Sequence, residues 1–192
     1  TDLTGWNQIP DHTSVFSVVD GALNIESGNG QIETADVFQD FILQLDIFSN
    51  GDPAKPLNSG VFLRTPPGVF WKGYEIQIRN EFADGDRTKP KDFGTGGNYG
   101  NQPSRKVIPN EKEWYTMTIV ADGNHIAAWV NGYQTSDFTD VRPPSTEAQG
   151  KAGYVADAGT INLQGHDPTT DISCKNINIQ PYPTRRGRAP QP

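Results

Sequence analysis

Glu75, Gln77 and Arg79 occupy alternate positions in the segment Tyr74-Glu75-Ile76-Gln77-Ile78-Arg79, interleaved with Tyr74, Ile76 and Ile78. Alternate residues of a strand share a face, so a carboxylate, an amide and a guanidinium stand in one row while the apolar set faces a core. Arg64 is expected on the polar side of a neighbouring strand in which Val61 and Leu63 are the apolar phase. A carboxylate in such a row suits general acid or base work, an amide suits two-point hydrogen bonding, and a guanidinium suits developing negative charge. Asp46 interrupts the apolar run Phe41 to Phe48 and offers a second carboxylate to pair with Glu75. His166 follows the strand-like Ile161 to Gln164 and precedes Asp167-Pro168, a strand end where catalytic groups are often placed. Each has a plainer alternative: a solvated sheet face with cross-strand ion pairs, a structural Asp46, and a turn histidine.

The elements that must position these groups are strands. Phe41, Leu43, Leu45 and Ile47 alternate with Ile42, Gln44, Asp46 and Phe48, and no segment repeats apolar residues at helical spacing over three turns. Further strands are predicted at Val15 to Val19, Ala22 to Ile25, Gly30 to Thr34, Trp114 to Val120, Ile126 to Val130, Tyr154 to Val155, Ile161 to Gln164 and Ile172 to Ile179. Asp20-Gly21, Asp122-Gly123 and Asn131-Gly132 are hairpin-turn pairs and argue for sequential antiparallel pairing. The fold class is therefore all-β, a jelly-roll sandwich of two antiparallel sheets. One domain over residues 1–183 is expected, followed by a basic Pro-rich tail or linker at 184–192. The polar, glycine-rich stretch Asn80 to Pro109 breaks the rhythm, and a loop of that length is more often functional or mobile than a plain connection.

The chain has 192 residues, with 16 Lys and Arg against 23 Asp and Glu, a net charge of -7 that argues against nucleic acid as partner. No apolar run reaches the ~20 residues of a membrane-spanning helix. A single cysteine, Cys174, excludes an internal disulfide and a multi-cysteine metal site; its strand position next to Ile172 suits a small core residue. No Gly-x-Ser-x-Gly elbow is present, and Gly94 to Gly100 is not followed by the Lys-Ser/Thr of a phosphate loop. Asp84-Gly85-Asp86 lacks the further spaced oxygens of a calcium loop and reads as a surface turn. No metal site is assigned, although an ion gathered from distant strands leaves no local spacing, so metal dependence stays open. The polar face of a curved sandwich forms a groove. Sugars fit a groove with bidentate polar groups and aromatic platforms, for which Trp71, Tyr74 and Trp129 are the candidates.

The order of motifs adds a resemblance. Asp2-Leu3-Thr4-Gly5-Trp6, Asn58-Ser59-Gly60-Val61-Phe62-Leu63-Arg64 and Gly73-Tyr74-Glu75-Ile76-Gln77-Ile78 resemble the 3-keto-disaccharide hydrolase family. Trp114-Tyr115-Thr116, Trp129-Val130-Asn131-Gly132, Ile161 to His166 and Lys175 to Ile179 continue it in order, up to about Pro183. The resemblance implies a concanavalin A-like lectin/glucanase fold and cleavage of glycosides oxidised to a ketone at sugar carbon 3, in secreted or periplasmic bacterial systems. Related glucanases carry a Glu-x-Asp-x-x-Glu strand; here Glu75-Ile76-Gln77-Ile78-Arg79 departs from it, against a two-carboxylate retaining mechanism. A ketone at carbon 3 acidifies the hydrogen on carbon 2, so an acid, a base and an enolate stabiliser suffice, with no redox cofactor for this step. On this reading Glu75 or His166 is the base, Arg64 stabilises the enolate, and Asn58, Gln77, Asp46, Trp71 and Tyr74 bind substrate. The competing reading is a non-catalytic carbohydrate-binding module, one of several domains of a larger secreted protein.

Overall fold

A computed structural model describes residues 2–183 apart from Pro53 and Pro56; the predicted tail at 184–192 lies outside the described residues. Twelve strands, and no helix among the described residues, run in the order β1 (Trp6–Gln8), β2 (Val15–Val19), β3 (Ala22–Glu26), β4 (Gly30–Thr34), β5 (Phe41–Ser49), β6 (Ser59–Thr65), β7 (Tyr74–Ile78), β8 (Trp114–Asp122), β9 (His125–Val130), β10 (Tyr133–Thr139), β11 (Thr160–Gly165) and β12 (Asp171–Pro181). They form a five-stranded sheet ordered β1-β4-β11-β6-β7 and a seven-stranded sheet ordered β10-β9-β8-β5-β12-β3-β2. Every strand pair is antiparallel, and the two sheets stack as a jelly-roll sandwich.

The core follows the alternation. Leu43, Leu45 and Ile47 of β5 meet Val61 and Leu63 of β6 and Tyr74, Ile76 and Ile78 of β7 in one apolar cluster, all fully buried. Burying such side chains contributes roughly 1.5–3 kcal/mol each, which fixes the phase of both strands. The opposite phase of β6 and β7 is thereby forced onto the outer surface of the five-stranded sheet, where the site lies.

Asp20 (φ 50°) with Gly21 (φ 78°) and Asn131 (φ 49°) with Gly132 (φ 79°) make the expected left-handed hairpin pairs. The third turn is shifted by one: Asp122 pairs with His125, so Gly123 and Asn124 form the loop. Strands β1 and β10 escape the periodicity reading, since β1 has three residues and β10 buries Thr135 and Ser136 beside a bulge. Tyr154 to Val155 is not a strand; Tyr154 makes one isolated bridge to Pro144.

The long stretch Asn80 to Pro109 is zipped to the free edge of β7. Thr95 N donates to Arg79 O (3.0 Å), Gly96 N to Gln77 O (2.9 Å), Gln77 N to Gly97 O (2.9 Å) and Tyr99 N to Glu75 O (2.8 Å). A β-carbon on Gly97 would lie 2.3 Å from the Phe93 carbonyl oxygen, so this run needs glycine for close backbone approach. The loop thus covers a sheet edge and forms a wall beside it.

Candidate active site

Two rows of side chains cross the outer face of the five-stranded sheet. One reads Gln31, Gln164, Gly60, Gln77 and the next reads Glu33, Asn162, Phe62, Glu75, from β4 through β11 and β6 to β7. Gly60 is a gap in its row. A β-carbon there would stand 2.6 Å from Glu75 Oε1, so the missing side chain is the space into which the Glu75 carboxyl leans. Above the gap lies a groove of about 490 Å³ lined by Asn58, Phe62, Trp71, Glu75, Gln77, Asp92, Tyr99, Lys151, Gln164 and His166, with Asn29, Gly73 and Gln149 at its margins.

Burial pushes the Glu75 carboxyl up to about 8, the negative charge of Asp92 adds to the rise, and the Lys151 ammonium opposes it. At neutral pH Glu75 is mainly an uncharged acid able to donate a proton. Asp92 reaches the site from the zipped loop, where its carboxylate accepts from Asn58 Nδ2 (3.3 Å) and Gln77 Nε2 (3.1 Å). Both amide groups are oriented by this acceptor-only partner, which leaves the buried Asn58 Oδ1 facing away from Asp92 with no partner among the described residues. Gln164 Oε1 is likewise buried and unpartnered.

His166 lies just beyond β11. Its backbone N donates to Thr170 Oγ1 (2.9 Å), and Thr170 Oγ1 donates to Asn58 O (2.7 Å), which couples the turn to the start of β6. His166 Nδ1 is 2.8 Å from Asp167 Oδ2. Burial pushes the Asp167 carboxyl up, but hydrogen bonds from Thr169 and His166 outweigh it and hold the group below the usual range. Asp167 thereby accepts at Nδ1 and fixes the orientation of the ring, which leaves Nε2 as the nitrogen not engaged by Asp167. His166 lines the groove beside Trp71.

Trp71 forms the apolar wall, edge-on to Phe62 (6.2 Å between centroids) and to His166 (6.5 Å). Its loop, between β6 and β7, is pinned by side chains of the second row and its neighbour. Gly68 N donates to the buried Glu33 carboxylate (3.0 Å) and Trp71 N to Gln31 Oε1 (3.2 Å). Thr160 Oγ1 donates to Glu33 Oε2 (3.1 Å) and Asn162 Nδ2 to Gln31 Oε1 (3.4 Å), so the clamp is itself fixed.

Of the residues singled out by sequence, the groove brings together Glu75, Gln77, Asn58, Trp71 and His166. Five lie elsewhere: Arg64, Tyr74, Asp46, Trp129 and Arg79, whose guanidinium pairs with Glu81 just past the end of β7. Arg64 is 1% exposed; its guanidinium donates to Gln39 O (2.7 Å) and Val155 O (2.8 Å) and pairs with Asp40 (3.0 Å). Its left-handed backbone (φ 56°) lies opposite the register break between Thr160 and Asn162, a bulge that turns the side chain out of the groove phase. Tyr74 belongs to the core, its hydroxyl donating to Asp140 Oδ2 (2.8 Å) and accepting from Val155 N (3.1 Å). Asp46 lies on β5 of the other sheet, where Thr116 Oγ1 (2.6 Å) and Asn176 Nδ2 (2.7 Å) donate to it and hold its carboxyl below the usual range. Asp46 and Glu75 do not form a pair. Trp129 also lies in the seven-stranded sheet, on β9. Among the described residues no group of three or more His, Cys, Asp and Glu side chains is placed to hold a metal ion.

Asp92, Tyr99, Lys151 and Gln164 were missed. The only sequence signal for Asp92 and Tyr99 was the length of their loop.

A family model described as a 3-keto-alpha-glucoside-1,2-lyase-like domain matches residues 1–180. A putative glycosyl hydrolase from Parabacteroides distasonis superposes with a TM-score of 0.73 at 25% identity, covering 95% of this chain and 96% of that one. A carbohydrate-binding module from Bacillus subtilis gives 0.65 at 12% identity over 93% and 96%, and a Bacillus licheniformis β-glucanase 0.50 at 14% identity over 94% of each. Comparison with curated proteins finds no match.

Proposed function

The chain belongs to the 3-keto-alpha-glucoside-1,2-lyase-like domain family, and from that membership we propose that its groove cleaves glycosides bearing a ketone at sugar carbon 3. The observation that carries the reading is the presence in one groove of Glu75, whose carboxyl burial pushes up to about 8, and of His166, whose Nδ1 is held by Asp167. His166 Nε2 takes the proton from carbon 2, and the electron pair passes into the carbon 2–carbon 3 enolate. The enolate re-forms the ketone as the carbon 1–carbon 2 double bond forms and the bond from carbon 1 to the glycosidic oxygen breaks. Glu75 gives its proton to that departing oxygen. Water adding across the new double bond turns the net reaction into hydrolysis. Trp71 supplies an apolar face for the sugar ring, and Asn58 Oδ1 accepts from a hydroxyl.

The test varies the leaving group. Glu75→Gln is expected to lower kcat by about 10²–10⁴-fold on a 3-keto-glycoside with a sugar aglycone, and far less on one with a nitrophenolate, which departs without a proton. Equal losses on both substrates would remove Glu75 from the acid role. The similarity to a carbohydrate-binding module favours one second reading, sugar binding without turnover. Calorimetric binding of a glycan by a protein that releases no product from any 3-keto-glycoside would establish it.

A further inference from the structure

With Arg64 held outside the groove, the enolate oxygen has no assigned partner. A ketone that becomes an enolate needs hydrogen-bond donors or positive charge. The amide donors nearest Asp92 are turned toward it: Gln77 Nε2 donates to its carbonyl and carboxylate oxygens and Asn58 Nδ2 to the carboxylate. Gln149 Nε2 donates to Trp71 O (3.4 Å). Two buried, unpartnered atoms of the lining, Asn58 Oδ1 and Gln164 Oε1, are acceptors that suit sugar hydroxyls, and the remaining amide donors of the lining are neutral. Arg79 is engaged by Glu81 and lies 3.9 Å from Asp92.

Lys151 is the one lysine or arginine among the described residues lining the groove. Its Nζ lies 6.0 Å from the centre of the Tyr99 ring, and among the described residues no carboxylate pairs with it. Its backbone is anchored from the core. Arg142 Nη1 donates to Lys151 O (3.1 Å), and the same guanidinium is bound to the buried Asp140 (2.7 Å), which in turn accepts from Tyr74 OH (2.8 Å). Across the groove wall Gly100 leaves the room this lysine requires, since a β-carbon there would lie 2.5 Å from Lys151 Cβ. An ammonium on an anchored backbone and buried acceptors in the same lining give the groove a polarity.

We propose that Lys151 is the catalytic cation that receives the developing enolate oxygen, and that the sugar therefore lies with its carbon 3 oxygen toward Lys151 and its hydroxyls toward Asn58 and Gln164. The assignment rests on the keto-glycoside reading above. No further reactant enters: the charge leaving the carbon 2–hydrogen bond resides transiently on the carbon 3 oxygen beside the ammonium and returns as the bond to the glycosidic oxygen breaks.

The test uses two substrates. One is a 3-keto-glucoside, followed by product release. The other is the 3-keto derivative of 1,5-anhydroglucitol, which has no leaving group at carbon 1 and reports enolisation alone as deuterium uptake at carbon 2 in heavy water. Lys151→Met is expected to lower kcat and the exchange rate together by about 10²–10³-fold with KM within threefold, and Lys151→Arg to restore part of both. Thermal unfolding of each variant verifies the fold. Turnover and exchange in the wild type with less than a threefold effect of Lys151→Met would overturn the role of Lys151 and leave the keto-glycoside reading standing. Absence of both reactions in the wild type would overturn the reading and this assignment with it.

Discussion

Replacing Glu75 by Gln should make the protein more stable, and by an amount set by pH. The folded protein holds the Glu75 proton up to about 8, whereas the ordinary carboxyl value is 4.5. Between those values the folded state binds more protons than the unfolded chain, so stability is full below 4.5 and falls as pH rises through 8. The whole interval corresponds to about 5 kcal/mol, of which about 3 kcal/mol is already lost at pH 7. Water in the groove screens the charge, so both figures are ceilings. Glutamine keeps the shape and cannot ionise, so the variant escapes this loss. Differential scanning calorimetry of wild type and Glu75→Gln at pH 4, 7 and 9 should show near-equal Tm at pH 4. At pH 7 the variant should be higher by up to roughly 6–12 °C, and higher still at pH 9. A difference that is the same at all three values would refute a buried, proton-holding Glu75, whatever reaction the groove performs.

Asp92→Asn removes the charge that adds to the rise at Glu75, so the fall of stability that begins near 4.5 should end at lower pH and be smaller in total; an unmoved profile would show that Asp92 does not act on Glu75. Gly60→Ala places a methyl group against the Glu75 carboxyl and should cut kcat at least tenfold on a 3-keto-glycoside while Tm changes by only a few degrees; unchanged kcat would show that the gap is not required. Arg64→Leu strands the Gln39 and Val155 carbonyl groups and takes the guanidinium from Asp40, and should cost roughly 3 kcal/mol in denaturant unfolding, with kcat of the folded protein preserved. Loss of kcat without loss of stability would return Arg64 to the site.

The parts of the molecule legible in the sequence are those governed by local alternation. Leu43, Leu45 and Ile47 announce the core side of β5, and Ile76 and Ile78 announce that of β7. Because Glu75 and Gln77 are simply the other phase of β7, their place in the groove followed from the core. Arg64 shows how fragile that logic is, since one residue with left-handed backbone reverses a side chain while the sequence pattern continues unchanged. Tyr74 was core by phase and a platform only by residue type, and phase prevailed. Asp92, Tyr99 and Lys151 reach the groove through backbone bonds and turns in two loops, and no local periodicity encodes where a loop will dock.

The strand order also constrains how the molecule is born. The last two strands lie inside their sheets: β11 separates β4 from β6, and β12 separates β3 from β5. While a ribosome is still extending the chain short of residue 160, the five-stranded sheet lacks its middle and β4 has no partner on the side facing β6. Pairings of such long sequence separation form slowly, because loop closure must precede them. The row from Gln31 to Gln77 and the clamp on the Trp71 loop both pass through β11. A nascent chain consequently holds no groove, and a premature stop anywhere before β11 yields a product with exposed strand edges, suited to capture by chaperones or to degradation, and no partial groove.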